Sequence, residues 1–108
     1  MNSIGYSGEY KAKKELEAIY GSSNVLKIAI AQVGADFMVF DEGRLILLVE
    51  VKTTTLNKWY AREKEKIQFN KIKSFALAHN CPAELWIYYK QGKGNPMIKE
   101  IRNLLADS

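Results

Sequence analysis

The spacing of apolar residues along the chain predicts three helices and four strands. Apolar positions recurring every three to four residues predict helices over about 8–20 and 62–79, and a short C-terminal helix marked by Ile98, Ile101, Leu104 and Leu105. Apolar runs bounded by turn residues predict strands over 25–31, 35–40, 45–53 and 85–89. The resulting order, α-β-β-β-α-β-α, predicts an α/β fold with a mixed central sheet flanked by helices.

The third strand is predicted to lie at the centre of the sheet. Residues 45–51 are apolar at nearly every position, which is typical of a strand that is covered on both faces. The first strand, over 25–31, has one apolar face, formed by Leu26, Ile28 and Ile30.

Three polar residues interrupt these apolar strands. Asp36 begins the second strand, and Glu50 and Lys52 project from one face of the third because they are two residues apart. Whether Asp36 joins them depends on the turn between the strands. A three-residue loop would pair Phe40 with Arg44, and Asp36 and Glu50 would then be diagonal neighbours on one face, about 7–8 Å apart. A two-residue turn would place Asp36 on the opposite face unless a bulge intervenes.

These residues indicate a cation site. Two carboxylates on one sheet face repel each other unless a cation joins them. Oxygen ligands without His or Cys suit Mg²⁺ or Mn²⁺ rather than zinc. Lys52, one pleat further along, could orient an attacking water or stabilise charge on phosphorus. The alternative is an ordinary ion pair among Asp36, Glu50 and Lys52.

Two further polar residues lie on the predicted inward faces of helices. Glu9 lies three residues before Ala12 and seven before Leu16. A buried carboxylate is costly unless it is paired or bound to a metal. Glu9 is also near a helix start, however, where a negative charge suits the helix dipole. Gln68 precedes Ile72 by four residues, and it could either hydrogen-bond a ligand carboxylate or occupy the boundary of a partly exposed face.

The net positive charge is concentrated in one segment. The chain has 16 Lys and Arg against 12 Asp and Glu, which gives a formal charge of +4. Residues 57–73 contain six basic and two acidic side chains, and therefore carry the whole excess, together with Trp59, Tyr60 and Phe69. A basic surface with aromatic residues is what DNA binding requires. A solvated helix face with ordinary ion pairs is the alternative.

Length and composition limit the class of protein. A chain of 108 residues predicts a single domain, over 1–108, and its 47% of hydrophobic residues excludes intrinsic disorder. No apolar run is long enough to span a bilayer, so we expect no membrane partner. Cys81 is the single cysteine, which excludes an internal disulfide and fits a reducing compartment. We therefore expect a cytoplasmic protein, in the host cytoplasm if the source is viral.

The motifs resemble those of the PD-(D/E)XK nuclease superfamily, which has a restriction-endonuclease-like core. Residues 34–39 (GADFMV) resemble its Asp-bearing strand, 48–53 (LVEVKT) its Glu-x-Lys strand, and 5–9 (GYSGE) the start of its first helix. The basic stretch from Arg62 and the following helix with Gln68 are most similar to the archaeal-type Holliday junction resolvases. One departure is that an alanine precedes the Asp, where the family has a proline.

The resemblance implies a Mg²⁺-dependent endodeoxyribonuclease, with Mn²⁺ as a substitute, that cuts four-way or other branched DNA as a homodimer in recombination and repair. The residues that it implies for metal binding are Asp36, Glu50, the backbone carbonyl of Val51, and Glu9. Lys52 would be the catalytic lysine, and Gln68 would orient the site. The residues expected to contact DNA are Lys11, Lys58, Arg62, Lys64 and Lys66.

Two other functions are compatible with the same motifs. One is another nuclease of this fold that acts on flaps, breaks or foreign DNA. The other is a non-catalytic DNA-binding module, which would bind DNA in a salt-dependent manner without metal-dependent turnover.

Overall fold

The computed structural model describes residues 4–30 and 32–106. Its elements are α1 (Ile4–Tyr20), a single 3-10 turn (Ser22–Asn24), β1 (Val25–Lys27), β2 (Phe37–Asp41), β3 (Arg44–Thr54), α2 (Glu63–Ala78), β4 (Ala83–Tyr89) and β5 (Ile98–Asn103). Neither helix has the length and apolar character that crossing a membrane requires, within the described ranges. A single domain over 1–108 stays a prediction, since its limits lie outside these residues.

The strands form one mixed sheet in the order β1-β2-β3-β4-β5. β3 and β4 are parallel, and α2 supplies the crossover that a parallel connection needs, whereas the other neighbouring strands are antiparallel. Residues 47–51 of β3 are all buried. The prediction that this apolar run is the central strand is therefore confirmed.

The two helices cover opposite faces of the sheet. Ala12 and Leu16 are one helical turn apart on α1, are fully buried, and pack in a cluster with Phe37. On the other face, Ile72 and Ala76 of α2 are fully buried in a second cluster. This arrangement confirms the predicted α/β sandwich and leaves the C-terminal half of β3 beside the start of α2.

The predicted C-terminal helix is wrong, and the element order is α-β-β-β-α-β-β. Residues Ile98–Asn103 form β5, which pairs antiparallel with β4 from Tyr89↔Ile98 to Glu84↔Asn103. The helical spacing of apolar residues was coincidental, because Ile98 and Ile101 are 58% and 50% exposed. Pairing with β5 satisfies backbone groups of the buried strand β4 that would otherwise lack partners.

The first strand is shorter than predicted. β1 ends at Lys27, and the predicted end at residue 31 lies outside the described residues. The residue that β1 buries is Val25, while Leu26 and Ile30 are about half exposed. The apolar face predicted from Leu26, Ile28 and Ile30 is therefore not the face that enters the main cluster, and Ile28 packs instead against the second cluster, on the side of α2.

The turn between β2 and β3 decides the position of Asp36. Glu42 and Gly43 have φ of 51° and 78° and form a two-residue turn in which Asp41 pairs with Arg44. The three-residue loop, which would have paired Phe40 with Arg44, is therefore not the turn that the chain uses. A bulge then shifts the register by one residue on the β3 side, between Val39 and Phe40 of β2. This shift restores the face that a plain two-residue turn would have reversed.

Candidate active site

Asp36 lies immediately before β2 and is fixed against the middle of β3. Its Oδ2 accepts a hydrogen bond from the Val51 backbone N–H at 2.8 Å, and its own N–H donates to the Val49 carbonyl at 3.0 Å. These two bonds extend the contacts between β2 and β3 to the residue before the start of β2. They hold the Asp36 carboxylate beside the strand position occupied by Glu50.

Glu50 is a buried carboxylate in the central strand. Its side chain is 4% exposed, and its Oε2 lies 3.2 Å from the Lys52 Nζ. The same oxygen accepts a hydrogen bond of 2.8 Å from the Gln68 Nε2. The other oxygen, Oε1, is buried and has no hydrogen-bond partner among the residues described. Glu50 therefore has an unused acceptor inside the protein, which is an arrangement that normally costs free energy.

Gln68 connects three parts of the site. Besides its bond to Glu50, its Nε2 donates to the Gly34 carbonyl at 2.7 Å, and its Oε1 accepts from the Lys52 Nζ at 3.4 Å. These contacts join α2 to β3 and to the segment before β2. The sequence-based expectation that Gln68 points into the site is met by this geometry, and its role in orienting the site stays a prediction.

Glu9 reaches the same region from α1 through a lysine that the sequence analysis missed. The Lys27 Nζ lies 3.3 Å from the Glu9 Oε1 and 3.6 Å from the Asp36 Oδ1. Lys27 thus lies between the two carboxylates. The signal in the sequence was a charged residue in the middle of an otherwise apolar segment, 25–30, which only a partner from another element makes favourable.

Burial and mutual repulsion raise the pKa values of two carboxylates in this site. Burial, followed by the charge of Asp36, raises the pKa of Glu50 to about 8 against the opposing effect of Lys52. Burial, and again the charge of Asp36, raises the pKa of Glu9, although Lys27 opposes the rise. The two lysines therefore do not compensate fully for the three carboxylates. A further cation would favour the ionised forms.

The donor set fits a hard divalent cation. Asp36 and Glu50 offer carboxylate oxygens, and the buried Oε1 of Glu50 has an unused acceptor that a cation would employ. Mg²⁺ and Mn²⁺ prefer such oxygen ligands. The described part of the chain contains no group of three or more His, Cys, Asp or Glu side chains that could hold a metal. Any cation here would therefore need ligands besides side chains, which Mg²⁺ commonly takes from water and backbone.

The residues predicted to contact DNA are mostly exposed, and the lysines of the basic segment 57–73 lie on more than one side of α2. Lys58, Arg62, Lys64 and Lys66 are exposed, whereas Lys11 is partly buried and forms an ion pair of 3.7 Å with Glu15. Because α2 turns once every 3.6 residues, its lysines fall on two sides. One side, with Lys66 and Lys73, borders Trp59 and β5, while Lys71 lies on the other side near Gln32.

One solved structure that resembles the chain is that of Hjc, a Holliday junction resolvase from the archaeal hyperthermophile Archaeoglobus fulgidus. The similarity has a TM-score of 0.69 at 15% sequence identity and covers 94% of this chain and 74% of the other. The chain has the fold of an archaeal Holliday junction resolvase. The resemblance that the sequence motifs indicated is thus confirmed for the fold. No protein-family model and no curated protein matches the sequence.

The resolvase-like fold explains why distant positions in the sequence meet. The hairpin of β2 and β3 brings Asp36 to Glu50, and the crossover helix brings Gln68 to both Glu50 and Lys52. The approach of α1 adds Glu9 through Lys27. The residues predicted for catalysis and metal binding therefore lie in or beside one cluster at the C-terminal half of β3, whereas the lysines and the arginine predicted to contact DNA lie outside it, and the roles of both sets stay predictions.

Proposed function

We propose that the protein is a metal-dependent DNA endonuclease, with branched DNA as its substrate. The observation that carries the proposal is the pair Asp36 and Glu50, in which a buried carboxylate with an unused oxygen lies beside a second carboxylate. Such a pair of carboxylates destabilises the fold unless a cation compensates for its charge. Groups of this kind are therefore concentrated at functional sites. The resolvase-like fold supports the same conclusion, since the neighbour with this fold is a Holliday junction resolvase.

The metal would be held by Asp36, Glu50 and the backbone carbonyl of Val51, with Glu9 as a supporting residue. Mg²⁺ is the expected ion, and Mn²⁺ would substitute. When bound, the cation would supply Lewis-acid stabilisation of the negative charge that develops on the attacked phosphate. Its presence would also favour the ionised form of Glu50 over the protonated form that burial promotes.

Lys52 is the residue that would meet the substrate. Its side chain is 24% exposed, so its ammonium can reach solvent while remaining 3.2 Å from Glu50. From there it would donate hydrogen bonds to the attacking water or to a phosphate oxygen, and its charge would favour the transition state over the ground state. Gln68 would act as a positioning residue, because its contacts are to Lys52, Glu50 and Gly34.

The substrate and the assembly follow from the need to cut two strands. A four-way junction has two equivalent strands to cut, and a homodimer would supply two sites. The basic residues around α2, with Lys58 and Arg62 before it, would bind the phosphate backbone. We therefore propose a homodimer as the assembly and branched DNA as the first substrate class to test.

The decisive experiment compares a four-way junction with a linear duplex of the same arm sequence, in Mg²⁺, in Ca²⁺ and in a chelator. We expect Mg²⁺-dependent cleavage of the junction, and a loss of about 10²- to 10³-fold for Asp36→Ala and Glu50→Ala, the scale on which removal of an electrostatic stabiliser lowers kcat. Asp41→Ala, at an exposed carboxylate in the β2–β3 turn, is the matched control and should cleave normally. Equal cleavage of junction and duplex would refute the proposed preference for junctions. Full activity of Glu50→Ala would refute the proposed active site.

A non-catalytic DNA-binding module is the second candidate. It is favoured by the lack, in the part of the chain that the structure describes, of a metal group with three or more side-chain ligands. This candidate predicts DNA binding that weakens steeply with salt and is unaffected by Asp36→Ala. Turnover in Mg²⁺ that disappears in Asp36→Ala would exclude it.

A further inference from the structure

A surface pocket lies between the segment after β3 and the edge strand β5. It has a volume of ≈ 550 Å³, within the range of about 300–1,000 Å³ that is typical of small-ligand sites. We call it the β5 pocket. Six of the side chains that line it are those of Lys58, Tyr60, Tyr89, Ile98, Glu100 and Arg102.

The β5 pocket lies on the same face of the sheet as the candidate active site. Lys52 pairs with Ile87 of β4, and Ile87 pairs with Glu100 of β5, so the three side chains project from one face. Neighbouring strands are about 4.8 Å apart, which places the backbone of Glu100 about 10 Å from that of Lys52. A DNA strand that is bound at Lys52 and runs toward β5 would therefore reach the pocket within about three nucleotides, at a rise of about 3.4 Å per nucleotide.

The floor of the pocket is a fixed polar group. The Tyr89 hydroxyl donates to the Glu100 Oε1 at 2.6 Å, and the Arg102 Nε donates to the Glu100 Oε2 at 2.9 Å. Arg102 and Tyr89 also lower the pKa of Glu100, so this carboxylate is ionised at neutral pH. The Oε1 also accepts a bond of 3.3 Å from the Arg102 Nη2, so the carboxylate oxygen with a lone pair left for a further N–H is Oε2. Arg102 neutralises the charge of Glu100 and is itself engaged by it, so this pair does not attract a phosphate, and the remaining lone pair of Oε2 favours a neutral group with an N–H donor.

The wall of the pocket presents an exposed aromatic ring on an anchored backbone. Tyr60 is 71% exposed, although the residue before it is held firmly. The Trp59 carbonyl accepts a bond of 2.9 Å from the Arg102 Nη2, and the Trp59 ring lies 6.0 Å from the Phe69 ring. Across the pocket, Ile98 is 58% exposed and offers an apolar surface. An exposed ring of this kind offers a flat partner a surface on which to stack.

We propose that the β5 pocket binds an unpaired nucleobase of the DNA, stacked on Tyr60 and hydrogen-bonded through its N–H groups to Glu100. The charge around the pocket favours this occupant, because Lys58 at its rim and the neighbouring basic segment attract a phosphate backbone, whereas the Glu100–Arg102 pair inside the pocket is neutral overall. Stacking on an aromatic side chain is the general way in which proteins hold an unpaired base. The inference rests on the proposed DNA endonuclease function and specifies its substrate class as DNA with an unpaired base near the cut.

The test uses fluorescence anisotropy in Ca²⁺, so that binding is measured without cleavage. The three probes are duplexes of one sequence that differ at one site: a bulged guanine, a bulge with an abasic residue, and full pairing. The abasic bulge keeps the bend in the DNA and removes the base. We expect the wild-type protein to bind the guanine bulge more tightly than the abasic bulge, by about 5- to 100-fold, the range produced by one base–aromatic stack.

Three variants identify the residues responsible. Tyr60→Ala should remove the preference for the guanine bulge, while Tyr60→Phe should keep it because the ring remains. Leu56→Ala, at a 65% exposed residue in the same segment, is the matched control and should behave as the wild type. Equal affinity of the wild-type protein for the guanine and abasic bulges would overturn the inference, as would an unchanged preference in Tyr60→Ala.

A second measurement locates the base directly and does not depend on a variant that folds. With 5-iodouracil at the bulge, irradiation should cross-link the DNA to residues 57–60 or 89–102, and a cross-link confined to α1 would overturn the inference.

Cleavage of the same bulged and paired DNAs in Mg²⁺ distinguishes a failure of this inference from a failure of the proposed function. Absence of cleavage together with a Tyr60-dependent preference refutes the nuclease and supports the pocket, whereas cleavage without the preference does the reverse.

Discussion

Replacing Glu50 with Gln tests the central physical argument about the site. The substitution Glu50→Gln removes the buried charge and the titrating proton but keeps the size of the side chain. Its amide oxygen can still accept the hydrogen bonds that the Gln68 Nε2 and the Lys52 Nζ now donate. The comparison of wild type and variant therefore isolates the charge of one carboxylate.

The size of the effect follows from the two pKa values. The ordinary pKa of 4.5 applies to Glu50 in the unfolded chain, and burial raises it to about 8 in the folded protein. Between these pH values the folded protein binds a proton that the unfolded chain has released, so the free energy of unfolding falls as the pH rises from about 4.5 to about 8. Since one pKa unit corresponds to about 1.4 kcal/mol, the fall is at most about 5 kcal/mol. We expect about 2–4 kcal/mol, because water and the partly exposed Lys52 screen the charge.

The assay is urea denaturation without divalent cations between pH 5 and pH 8.5. The wild-type protein should lose stability across this range, and the Glu50→Gln variant should lose much less. Glu9, whose pKa is also raised, contributes a fall in the free energy of unfolding that is common to both proteins. The carboxylates whose pKa is lowered, Glu15 and Glu100 among them, contribute at pH values below about 4.5 and do not interfere.

Mg²⁺ supplies a second measurement on the same pair of proteins. At pH 8 a cation that binds the folded protein should raise the Tm of the wild type, in proportion to the logarithm of its concentration, and should have little effect on Glu50→Gln. In the pH experiment, an equal fall in the free energy of unfolding of the two proteins would refute the argument that burial raises the pKa of Glu50. In the Mg²⁺ experiment, an equal rise in the Tm of both proteins would place the cation elsewhere.

Three further predictions concern DNA binding and packing. Lys64→Gln should lower the slope of log affinity against log salt by about 0.9 if Lys64 contacts a phosphate, and an unchanged slope measured by anisotropy would exclude that contact. Gly8→Ala should destabilise the protein by about 1–3 kcal/mol in urea, because the added Cβ would overlap the Thr53 hydroxyl where α1 meets β3; unaltered stability would contradict this packing. Tyr88→Phe should cost about 1–2 kcal/mol, since it removes the 2.7 Å bond from the fully buried Tyr88 to Glu15, and a neutral effect would mean that the bond contributes nothing net.

The elements predicted correctly are those whose pattern is local. The apolar positions of α1 and α2 recur along one helical face, and residues 45–49 are apolar without interruption because both faces of β3 are covered. Glu50 and Lys52 share a face for the equally local reason that side chains alternate along a strand. These features need no knowledge of what packs against them.

The position of Asp36 required tertiary information. The sequence left two turns open, and the chain uses the two-residue turn at Glu42 and Gly43 together with a bulge in β3. A bulge depends on how the whole hairpin twists against the helices, which no short segment encodes. The same holds for Lys27, which belongs to the site because it forms ion pairs with Glu9 and Asp36. Those two residues are brought near it by α1 and by the segment before β2.

The sequence by itself determined the chemistry available to this protein: an acidic pair, a lysine and a glutamine on apolar elements, and one basic segment. Only the tertiary structure decided how these are arranged. The edge strand β5 forms because β4 needs a partner for its backbone, although the apolar residues of 98–105 are spaced as in a helix. That strand supplies Glu100 and Arg102, and it brings them onto the face that holds Lys52. Spacing within a segment fixes which residues share a face, but long-range backbone pairing fixes which faces meet.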